Sequence, residues 1–501
     1  MAGSWPRLVA VAWTLARSDA LIPREIDPLL SPSARFGARL LRLPAGGRTD
    51  RRRPGERLAA ALESLGPVTI KLGQFLSTRG DMFGAAFAQD LSRLKDRLPP
   101  FATSLAKAEV EKELGRPLSQ LYASFEEPVA AASLAQAHRA RLVDGRDVAV
   151  KVLRPGIERQ VARDVRAMSL AAGIIDAWPL AQRLEPRAFV ATVARALQLE
   201  LDLRMEAAAA DELRIAIDEA GYLRAPKVVW DGVAKRVLTL EWVSGLALSE
   251  PASLHQPGLD PAKLAQNLVR GFLSQALDHG VFHADLHEGN LFVTPPAQLA
   301  VVDFGIVGRL GEAERRYLAE ILWGFLRRDY ARLAEVHFQA GYVPAHHDRG
   351  AFAQALRAVG EASFGRPARE LSMGRLLTQL FDITSLFDMR LRPELVLLQK
   401  TMVTVEGVAR RIDPEHDIWA AAEPVVRRWI SRELSPAATL RTLASEAGEV
   451  LASLKRLDAR IDRVAPSDHH SAPVRSLTPW IAFAAGALCA AVAFALAAWL
   501  R

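Results

Sequence analysis

Short stretches in the middle of the chain alternate apolar and polar positions, which is the period of a β-strand. Residues 147–153 alternate in this way around one lysine, Lys151, and follow the turn pair Asp144-Gly145. They therefore predict the second strand of a hairpin. Residues 236–245 predict another strand that runs into a hinge ending in glycine. Because longer, helical spacing surrounds these strands, the pattern predicts an α+β fold.

Helical spacing dominates the second half of the chain. Asp260 and Pro261, a capping residue and a first-turn proline, open a predicted helix that runs through Asp278. From residue 312 to residue 452 apolar positions recur every three or four residues and strand signals are scarce. The first stripe in this region consists of Leu318, Ile321, Leu322, Phe325 and Leu326. Taken with the length of 501 residues and the motifs described below, this region is expected to complete a two-lobed domain with N- and C-terminal helical additions.

The last residues form an uninterrupted apolar segment. Residues 481–500 carry no charged side chain, and about 20 apolar residues suffice to cross a bilayer. Trp480 and Trp499 flank the segment as interfacial aromatics, and a polar stretch at 464–473 precedes it. We predict a single-pass C-terminal anchor in a bacterial-type inner membrane, with the bulk of the protein cytoplasmic. A buried terminal helix is the alternative.

The N-terminal region carries a shorter apolar run and a basic one. Residues 8–16 are too few to span a bilayer and are followed by Arg17, so they predict an interfacial or core helix rather than a signal peptide. The basic run 48–57 predicts a solvated linker that can touch anionic headgroups. The net charge of +7 has no accompanying aromatic-basic pattern, which excludes nucleic acid as an expected partner.

Cysteine and histidine usage narrows the chemistry further. The single cysteine, Cys489, excludes intrachain disulfides and fits a reducing compartment. The adjacent pairs His346-His347 and His469-His470 have no further ligands at metal-binding spacing in the sequence. We therefore predict no zinc site.

The most informative motif is a pair of loops rich in metal and phosphate chemistry. Residues 283–290 read His-Ala-Asp-Leu-His-Glu-Gly-Asn, and Asp303 opens an Asp-Phe-Gly after the apolar residues 299–302. In phosphoryl transfer the first carboxylate, here Asp285, orients the nucleophile, while Asn290 and Asp303 hold Mg²⁺ against the phosphates of ATP. The motif predicts a phosphoryl-transfer site.

Upstream residues complete a kinase-like order of parts. Lys151 is the candidate that reaches the α- and β-phosphates, and the backbone of residues 241–243, Glu241 to Val243, is the candidate for pairing with adenine. A glycine-rich loop is absent. The sequence has Ala130, Ala131, Ala132 and Ser133 at the corresponding place. Methyl groups there predict a changed nucleotide pose, because glycine would let the backbone approach the phosphates more closely.

Two further motifs make the chain resemble a known family. Lys71, Gly73 and Gln74 form a Lys-x-Gly-Gln signature, and Glu200 with Asp202 forms a Glu-x-Asp signature followed by Glu206. Together with the alanine-rich loop, these motifs resemble the UbiB (ADCK) family of atypical kinases. The resemblance runs from about residue 62 to residue 308, with every signature present in order.

The resemblance implies roles for these residues. The segment with Lys71 and Gln74 is expected to lie where a protein substrate would sit, with Glu200 as the acidic partner of Lys71. Glu206 is our choice as the partner of Lys151, although the sequence leaves open whether the two glutamates are exchanged. The alternative is that these acids, with Asp202, form a solvated helix face. Since the prolines usual around the histidine of the 285–290 loop are missing, we expect a less rigid loop.

The resemblance also implies a function and partners. It implies an ATPase-like or kinase-like factor that uses ATP and Mg²⁺ and supports ubiquinone biosynthesis at a membrane. Membrane lipids, polyprenyl-phenol precursors and ubiquinone biosynthetic enzymes are the implied partners, and a homodimer is left open. Two other function classes compete: a true protein kinase, which the absence of an Ala-Pro-Glu segment after Asp303 disfavours, and a nucleotide-binding scaffold without turnover.

Domain organisation follows from these assignments. The predicted segments are an N-terminal helical and basic linker segment (1–57), an extension with the Lys-x-Gly-Gln motif (58–128), a kinase-like core (129–345), a helical extension (346–463), a polar linker (464–479) and the transmembrane anchor (480–501).

Overall fold

The structure is a computed structural model that describes residues 4–20, 35–36, 39, 42, 52–77, 85–91, 94, 98–177, 185–364, 386–389 and 393–433. The chain divides into two compact units, Met1–Val426 and Arg427–Arg501. Of the second unit only residues 427–433, the end of the last described helix, belong to the described part.

The described helices are α1 (Ser4–Arg17), α2 (Pro54–Leu65), α3 (Pro67–Ser77), α4 (Ala85–Leu91), α5 (Thr103–Leu114), α6 (Ile157–Asp176), α7 (Pro186–Glu200), α8 (Leu203–Ala220), α9 (Pro261–Ser274), α10 (Glu312–Arg327), α11 (Tyr330–Gln339), α12 (Arg349–Phe364), α13 (Pro393–Ile412) and α14 (Ile418–Glu433). The described strands are β1 (Tyr122–Ala131), β2 (Ala135–Leu142), β3 (Asp147–Leu153), β4 (Val237–Glu241), β5 (Leu246–Ala247), β6 (Val281–His283), β7 (Leu291–Thr294), β8 (Gln298–Val301) and β9 (Val307–Arg309).

The first lobe is built on an antiparallel sheet in the order β1-β2-β3-β4. In β3 the alternation predicted from the sequence is confirmed. Val148, Val150 and Val152 are buried on the face that packs against α5, while Leu153 belongs to the core on the other face. Because successive side chains point to opposite faces of a sheet, Lys151 is directed to the side of Leu153.

Helices α3, α6, α7 and α8 cover this second face of the sheet. Their buried residues in the shared core are Val68, Ile157, Val161, Val193, Leu197, Leu203 and Ala207. Each large apolar side chain buried in this way contributes about 1.5–3 kcal/mol relative to its exposed state. The packing therefore fixes α8, and with it the acidic residue that faces Lys151, against the sheet.

The second lobe places two functional loops beside each other. Strands β6 and β9 pair antiparallel, with His283 opposite Val307. Residues 284–290 follow β6 and residues 303–305 come just before β9, so the strand pairing brings both loops to the same edge. The predicted helix through Asp278 is found as α9, which continues as a π-helical turn over Gln275–His279.

Helix α1 is attached through one face and exposed on the other. Arg7 donates to both carboxylate oxygens of Asp164 on α6, at 2.8 and 2.9 Å, and to the Leu65 carbonyl at 2.7 Å. The exposed apolar residues of the helix are Trp5, Val9 and Trp13, at 55%, 62% and 58% exposure. Of the two predicted alternatives, an interfacial helix fits this arrangement better than a core helix, because a core helix would bury this stripe.

The prediction of a solvated basic linker at 48–57 is wrong for its described end. Arg53 forms an ion pair with Asp90. Arg57 is only 2% exposed and donates to the carbonyls of Asp19 and Arg52, at 3.2 and 2.8 Å. A guanidinium offers five donors, so Arg57 can be buried where several acceptors surround it. Arg57 thus joins the N-terminal helices from a buried position, whereas Arg53 remains exposed while it pairs with Asp90.

No helix in the described part of the chain is long and apolar enough to cross a membrane. The predicted anchor at 480–501 and the polar linker at 464–479 lie outside the described residues, so both stay predictions. The predicted domain boundaries likewise stay predictions.

Candidate functional site

Two carboxylates converge on the inward lysine of β3. The Lys151 Nζ donates to both oxygens of Glu206, at 2.7 and 2.9 Å, and to Asp303 Oδ1 at 3.2 Å. Glu206 lies in the first turns of α8, and Asp303 opens the loop before β9. The structure thus brings together one lysine from the first lobe and one acid from each side of the cleft, which is the space between the two lobes.

The lysine and the two carboxylates at this centre shift one another's pKa values. Burial acts to lower the pKa of Lys151, but the charges of Asp303 and Glu206 outweigh it, so the pKa of Lys151 is raised and the ammonium is retained. The charge of Lys151 in turn holds the pKa of Asp303 well below its usual range. Burial raises the pKa of Glu206, and the charge of Lys151 opposes that effect. Asp303 is therefore the permanently ionised acid of the site.

A second ion pair lies next to the first. Lys71 on α3 contacts Glu200 at the end of α7, with 3.1 Å between Nζ and Oε2. The charge of Lys71 also contributes to the lowered pKa of Asp303. The question that the sequence left open, which glutamate pairs with Lys151, is answered in this structure: Glu206 pairs with Lys151 and Glu200 with Lys71.

The glycine of the Lys-x-Gly-Gln signature has a packing reason. A Cβ on Gly73 would come within 2.2 Å of Leu94 Cδ1 and 2.8 Å of Leu62 Cδ1. Any side chain there would require Leu94, Leu62 or α3 itself to shift. Gln74 is half-buried three residues after Lys71, so both lie on the same side of α3.

Asp202 takes a different role from its neighbours in the Glu-x-Asp signature. Its carboxylate accepts a hydrogen bond from the Arg204 N–H at 3.2 Å and caps the N-terminus of α8. The Arg204 side chain adds bonds of 2.8 and 2.6 Å, which lower the pKa of Asp202. The described contacts of Asp202 thus place it at the start of the helix that carries Glu206.

The loop after β6 is organised by a buried histidine. His283 Nδ1 accepts from the Asp285 N–H at 3.1 Å, and its Nε2 lies 3.3 Å from the Val302 carbonyl, which only accepts. The proton of His283 is therefore on Nε2, and burial lowers the pKa of the ring, which keeps it neutral. The ring also packs edge-on against Phe304, with centroids 5.6 Å apart. His283 thus links the loop of Asp285 to the loop of Asp303, a role that the sequence analysis did not assign.

Asn290 is oriented by the same loop. Its Nδ2 donates to the Asp285 carbonyl at 3.1 Å, which leaves the amide oxygen for another partner. Asp303 has a left-handed backbone with φ +64°, a conformation that is uncommon for residues other than glycine and recurs at functional sites. An amide oxygen and a permanently ionised carboxylate are hard donors of the kind that Mg²⁺ prefers, so these residues fit that cation.

In the 285–290 loop, which lacks the usual prolines, side-chain contacts hold the backbone instead. His287 Nδ1 accepts from the Gly289 N–H at 3.0 Å, which places the ring proton on Nε2, 3.5 Å from Asp285 Oδ2. Glu288 forms an ion pair with Arg411 on α13. The loop that we expected to be less rigid is therefore held from two sides.

Helix α13 supports the same loop from behind. Thr401 Oγ1 lies 3.2 Å from the Ala284 carbonyl and 2.8 Å from the Leu397 carbonyl, and its single proton serves one of them at a time. Thr401 is buried. This support from a helix more than 100 positions away carries no local signal in the sequence.

The alanine-rich segment is a tight turn and not an open flap. Ala130 and Ala131 pair with β2, and the Ala132 N–H donates to the Ala135 carbonyl at 2.8 Å. Ser133 is fully buried. Arg154 donates to the Ala132 carbonyl from Nε and Nη2, at 3.0 and 2.8 Å. Sequence reasoning missed Arg154, which fixes the turn beside the cleft.

The hinge contributes fewer free backbone groups than the sequence predicted. The Glu241 N–H donates to the Lys227 carbonyl at 2.8 Å, and the Trp242 N–H to the Asp147 carbonyl at 3.0 Å. Among the described contacts, none occupies the N–H of Val243. The expectation that all of residues 241–243 pair with adenine is therefore narrowed: the donor would be Val243, and Glu241 retains only its carbonyl for that purpose.

An inward lysine paired to a helical glutamate, an Asp-to-Asn loop and an Asp-Phe-Gly loop define a protein-kinase-like fold. A model of the ABC1 atypical kinase-like domain matches residues 93–337, and a model of the UbiB helical domain matches residues 356–417. A Marinobacter nauticus protein named "Probable protein kinase UbiB" is 38% identical over 452 residues, covering 87% of this chain and 81% of that one. A Pseudomonas paraeruginosa protein of the same name is 38% identical, covering 84% and 80%.

The chain belongs to the UbiB family of atypical kinases. A solved structure, that of Rv3197 with erythromycin from Mycobacterium tuberculosis, matches with a TM-score of 0.51. It is 23% identical and covers 78% of this chain and 98% of that one. At this identity the likeness speaks for the fold alone, and it agrees with the kinase-like α+β architecture predicted from the sequence.

Proposed function

We propose that this protein is a membrane-anchored atypical kinase-like ATPase that supports ubiquinone biosynthesis, by hydrolysing ATP or by phosphorylating a small or lipid substrate. The proposal rests on two neighbouring sets of ion pairs. In the first, Lys151 contacts Glu206 and Asp303, and in the second, Lys71 contacts Glu200. The first is the arrangement of a phosphoryl-transfer site, and the second belongs to a helix that ordinary protein kinases lack.

Each group has a defined task in the proposed reaction. Lys151, kept charged by its two carboxylates, neutralises the α- and β-phosphates. Asn290 and Asp303 would hold Mg²⁺, which when bound would offset the charge that develops on the transferred phosphoryl group. Asp285 orients the attacking water or hydroxyl. Val243 supplies the backbone donor for adenine, and the turn of Ala130, Ala131, Ala132 and Ser133 sets the pose of the phosphates.

The position of α3 supports a small acceptor over a protein. Lys71 is close enough to Asp303 to lower its pKa, so α3 stands beside the phosphate-binding end of the cleft. A folded substrate would have to displace the Lys71–Glu200 pair to reach this place. Water, a small molecule or the headgroup of a lipid would not.

Attachment to a membrane is part of the same proposal. The apolar segment 480–501 is long enough to span, and the exposed stripe of Trp5, Val9 and Trp13 on α1 has the composition of an interfacial helix. Polyprenyl phenols are apolar enough to reside in a membrane, where an anchored protein would meet them together with the enzymes that modify them. Ubiquinone precursors and these enzymes are thus the proposed partners.

The test is phosphate release by the full-length protein in lipid bilayer discs, with and without a polyprenyl phenol. We expect Mg²⁺-dependent release that the phenol stimulates, and much slower release from the Asp285→Asn variant. Transfer of labelled phosphate to the phenol would identify the acceptor. Tight nucleotide binding without release or transfer in any condition would favour the nucleotide-binding scaffold and reject the enzymatic proposal.

A further inference from the structure

A cluster of three metal-ligating side chains lies away from the nucleotide site. His346 and His347 are in the segment between α11 and α12, and Asp388 is 41 residues beyond His347. One ligand atom from each residue lies within 4.8 Å of the other two. The sequence analysis dismissed the histidine pair because no third ligand was near it in the sequence. Folding supplies that third ligand.

We propose that His346, His347 and Asp388 bind one divalent transition-metal ion of the zinc class. The Nε2 atoms of both histidines face the same oxygen, Asp388 Oδ2, at 3.9 Å for His346 and 3.1 Å for His347. Ligand atoms around tetrahedral zinc stand about 3.3 Å apart, given metal–ligand bonds of about 2.0–2.2 Å. The two observed separations lie on either side of that value and all three ligand atoms are within 4.8 Å of one another, so a local adjustment of the side chains would form the site.

A simple hydrogen bond does not account for the whole cluster. The 3.1 Å contact of His347 with Asp388 is a hydrogen bond. The 3.9 Å contact of His346 is beyond hydrogen-bond range, yet its ring is stacked beside that of His347 with centroids 4.2 Å apart. A cation between the rings and the carboxylate would satisfy both Nε2 atoms at once. Two imidazoles and one carboxylate leave a fourth position for water or another ligand.

The geometry is supported by packing behind it. The ring of His347 contacts Phe387 edge-on at 5.4 Å, and Phe387 contacts Phe352 of α12 at 5.0 Å. Phe352 is completely buried. The side chain of Asp348 accepts from the Ala351 N–H at 2.6 Å, which anchors the histidine segment to the start of α12. The ligand-bearing segment is thus attached to the core on both sides.

The location gives the metal a structural task. His346 and His347 lie between the segment that matches the kinase-like domain model and the one that matches the helical domain model, and Asp388 lies within the latter. A bound ion would join the segment between the two matched domains to the helical domain. The same helical domain supports the catalytic loop through Thr401 and Arg411. The ion would therefore stabilise the surroundings of the site without entering it.

The test uses the full-length, tag-free chain in detergent after removal of metals. Titration with Zn²⁺ alone, followed by calorimetry, should show one equivalent bound. His346→Ala and Asp388→Asn should each weaken binding at least about tenfold. Both residues are exposed; His346→Ala removes the ring contact with His347, whereas Asp388→Asn keeps the size of the side chain and is the milder change. Thermal unfolding should shift upward with Zn²⁺ in the parent and not in these variants.

A matched control separates this site from unspecific histidine binding. The double variant His469→Ala, His470→Ala removes the other adjacent histidine pair of the sequence and should bind Zn²⁺ as the parent does. Co²⁺ in place of Zn²⁺ should give the visible absorption of a four-coordinate site only when His346 and Asp388 are present. Unchanged affinity in His346→Ala and Asp388→Asn, or loss of binding in the control, would overturn the proposal.

Discussion

At the scale of single residues, Asp303 combines three features of the site. It contacts Lys151, takes a left-handed backbone conformation and remains ionised because two lysines surround it. Asp285 has a different environment: the neutral His283 and the ring of His287 hold it from the loop itself. The two aspartates are therefore expected to fail in different ways when they are changed.

Asp303→Asn should weaken Mg²⁺-dependent nucleotide binding roughly 10- to 100-fold, because a charged metal ligand is lost. Asp285→Asn should bind nucleotide normally and lose about 10²- to 10⁴-fold in turnover, because it orients the attacking group. Equilibrium nucleotide binding and phosphate release, measured on both variants, separate these effects. Full affinity in Asp303→Asn would remove its assignment as a metal ligand.

A buried histidine in α11 predicts a dependence of stability on pH. His337 Nδ1 donates to the Leu333 carbonyl at 2.8 Å, and burial lowers its pKa from 6.5 to about 4. The unfolded chain takes up a proton below pH 6.5 and the folded chain only near pH 4, so stability falls as pH decreases through this window. The contribution of this one residue is on the order of 3 kcal/mol.

Denaturant unfolding of the parent and of His337→Phe, at pH 7 and pH 5, measures this effect. The phenylalanine keeps a ring against Tyr342 and Phe352 but cannot take up a proton. We expect the variant to lose less stability between the two pH values than the parent. Equal losses would show that other histidines with lowered pKa, such as His138 and His416, account for the dependence.

At the scale of elements, the local sequence pattern was enough to predict the strands, but not which residues the helices contact. The alternation in 147–153 was sufficient to predict β3 and the inward direction of Lys151, because the two faces of the strand differ in polarity. The alanine-rich segment was also recognised in the sequence, but the arginine that fixes it was not. Arg154 lies just beyond β3 and reaches the Ala132 carbonyl only because the hairpin folds back over it.

Changing the turn should change the nucleotide chemistry. Ala131→Gly or Ala132→Gly removes a methyl group and frees the backbone to approach the phosphates. We expect an altered preference between ATP and ADP and a gain of autophosphorylation, with loss of ubiquinone synthesis in cells. Ala123→Gly, an exposed position at the far end of β1, is the control for loss of strand stability. Normal ubiquinone levels in the turn variants would mean that these alanines serve packing only.

At the scale of the whole molecule, the kinase-like domain, the helical domain and helix α3 all contribute residues at or around the site. Helix α3 enters from the N-terminal side through Lys71, and α13 supports the catalytic loop through Thr401 and Arg411. Outside the cleft, α1 presents its exposed tryptophans. The exposed face of α1 and the apolar segment 480–501 are the two features from which we expect the protein to work at a membrane.

Deleting residues 480–501 should release most of the protein from membranes while nucleotide binding is retained, because no residue of the site is touched. Ubiquinone production should be lost. Sedimentation in high salt tests this, since salt screens headgroup attraction over about 10 Å at 0.1 M. Sedimentation that survives both the deletion and salt, and is abolished by adding Trp5→Ser and Trp13→Ser, would move the attachment to α1. Release with normal ubiquinone levels would remove the membrane from the proposed mechanism.

Local pattern determined the order of motifs, the inward lysine and the two lobes, since strand alternation and catalytic spacing are properties of neighbouring residues. The tertiary structure alone decided which glutamate meets Lys151. Glu200 ends α7 and Glu206 lies in α8, so a helix break separates them and no single periodicity relates their directions. The contacts of Glu288 with Arg411 and of His347 with Asp388 join residues far apart in the chain. Their formation depends on how whole helices pack, which short-range sequence patterns do not encode.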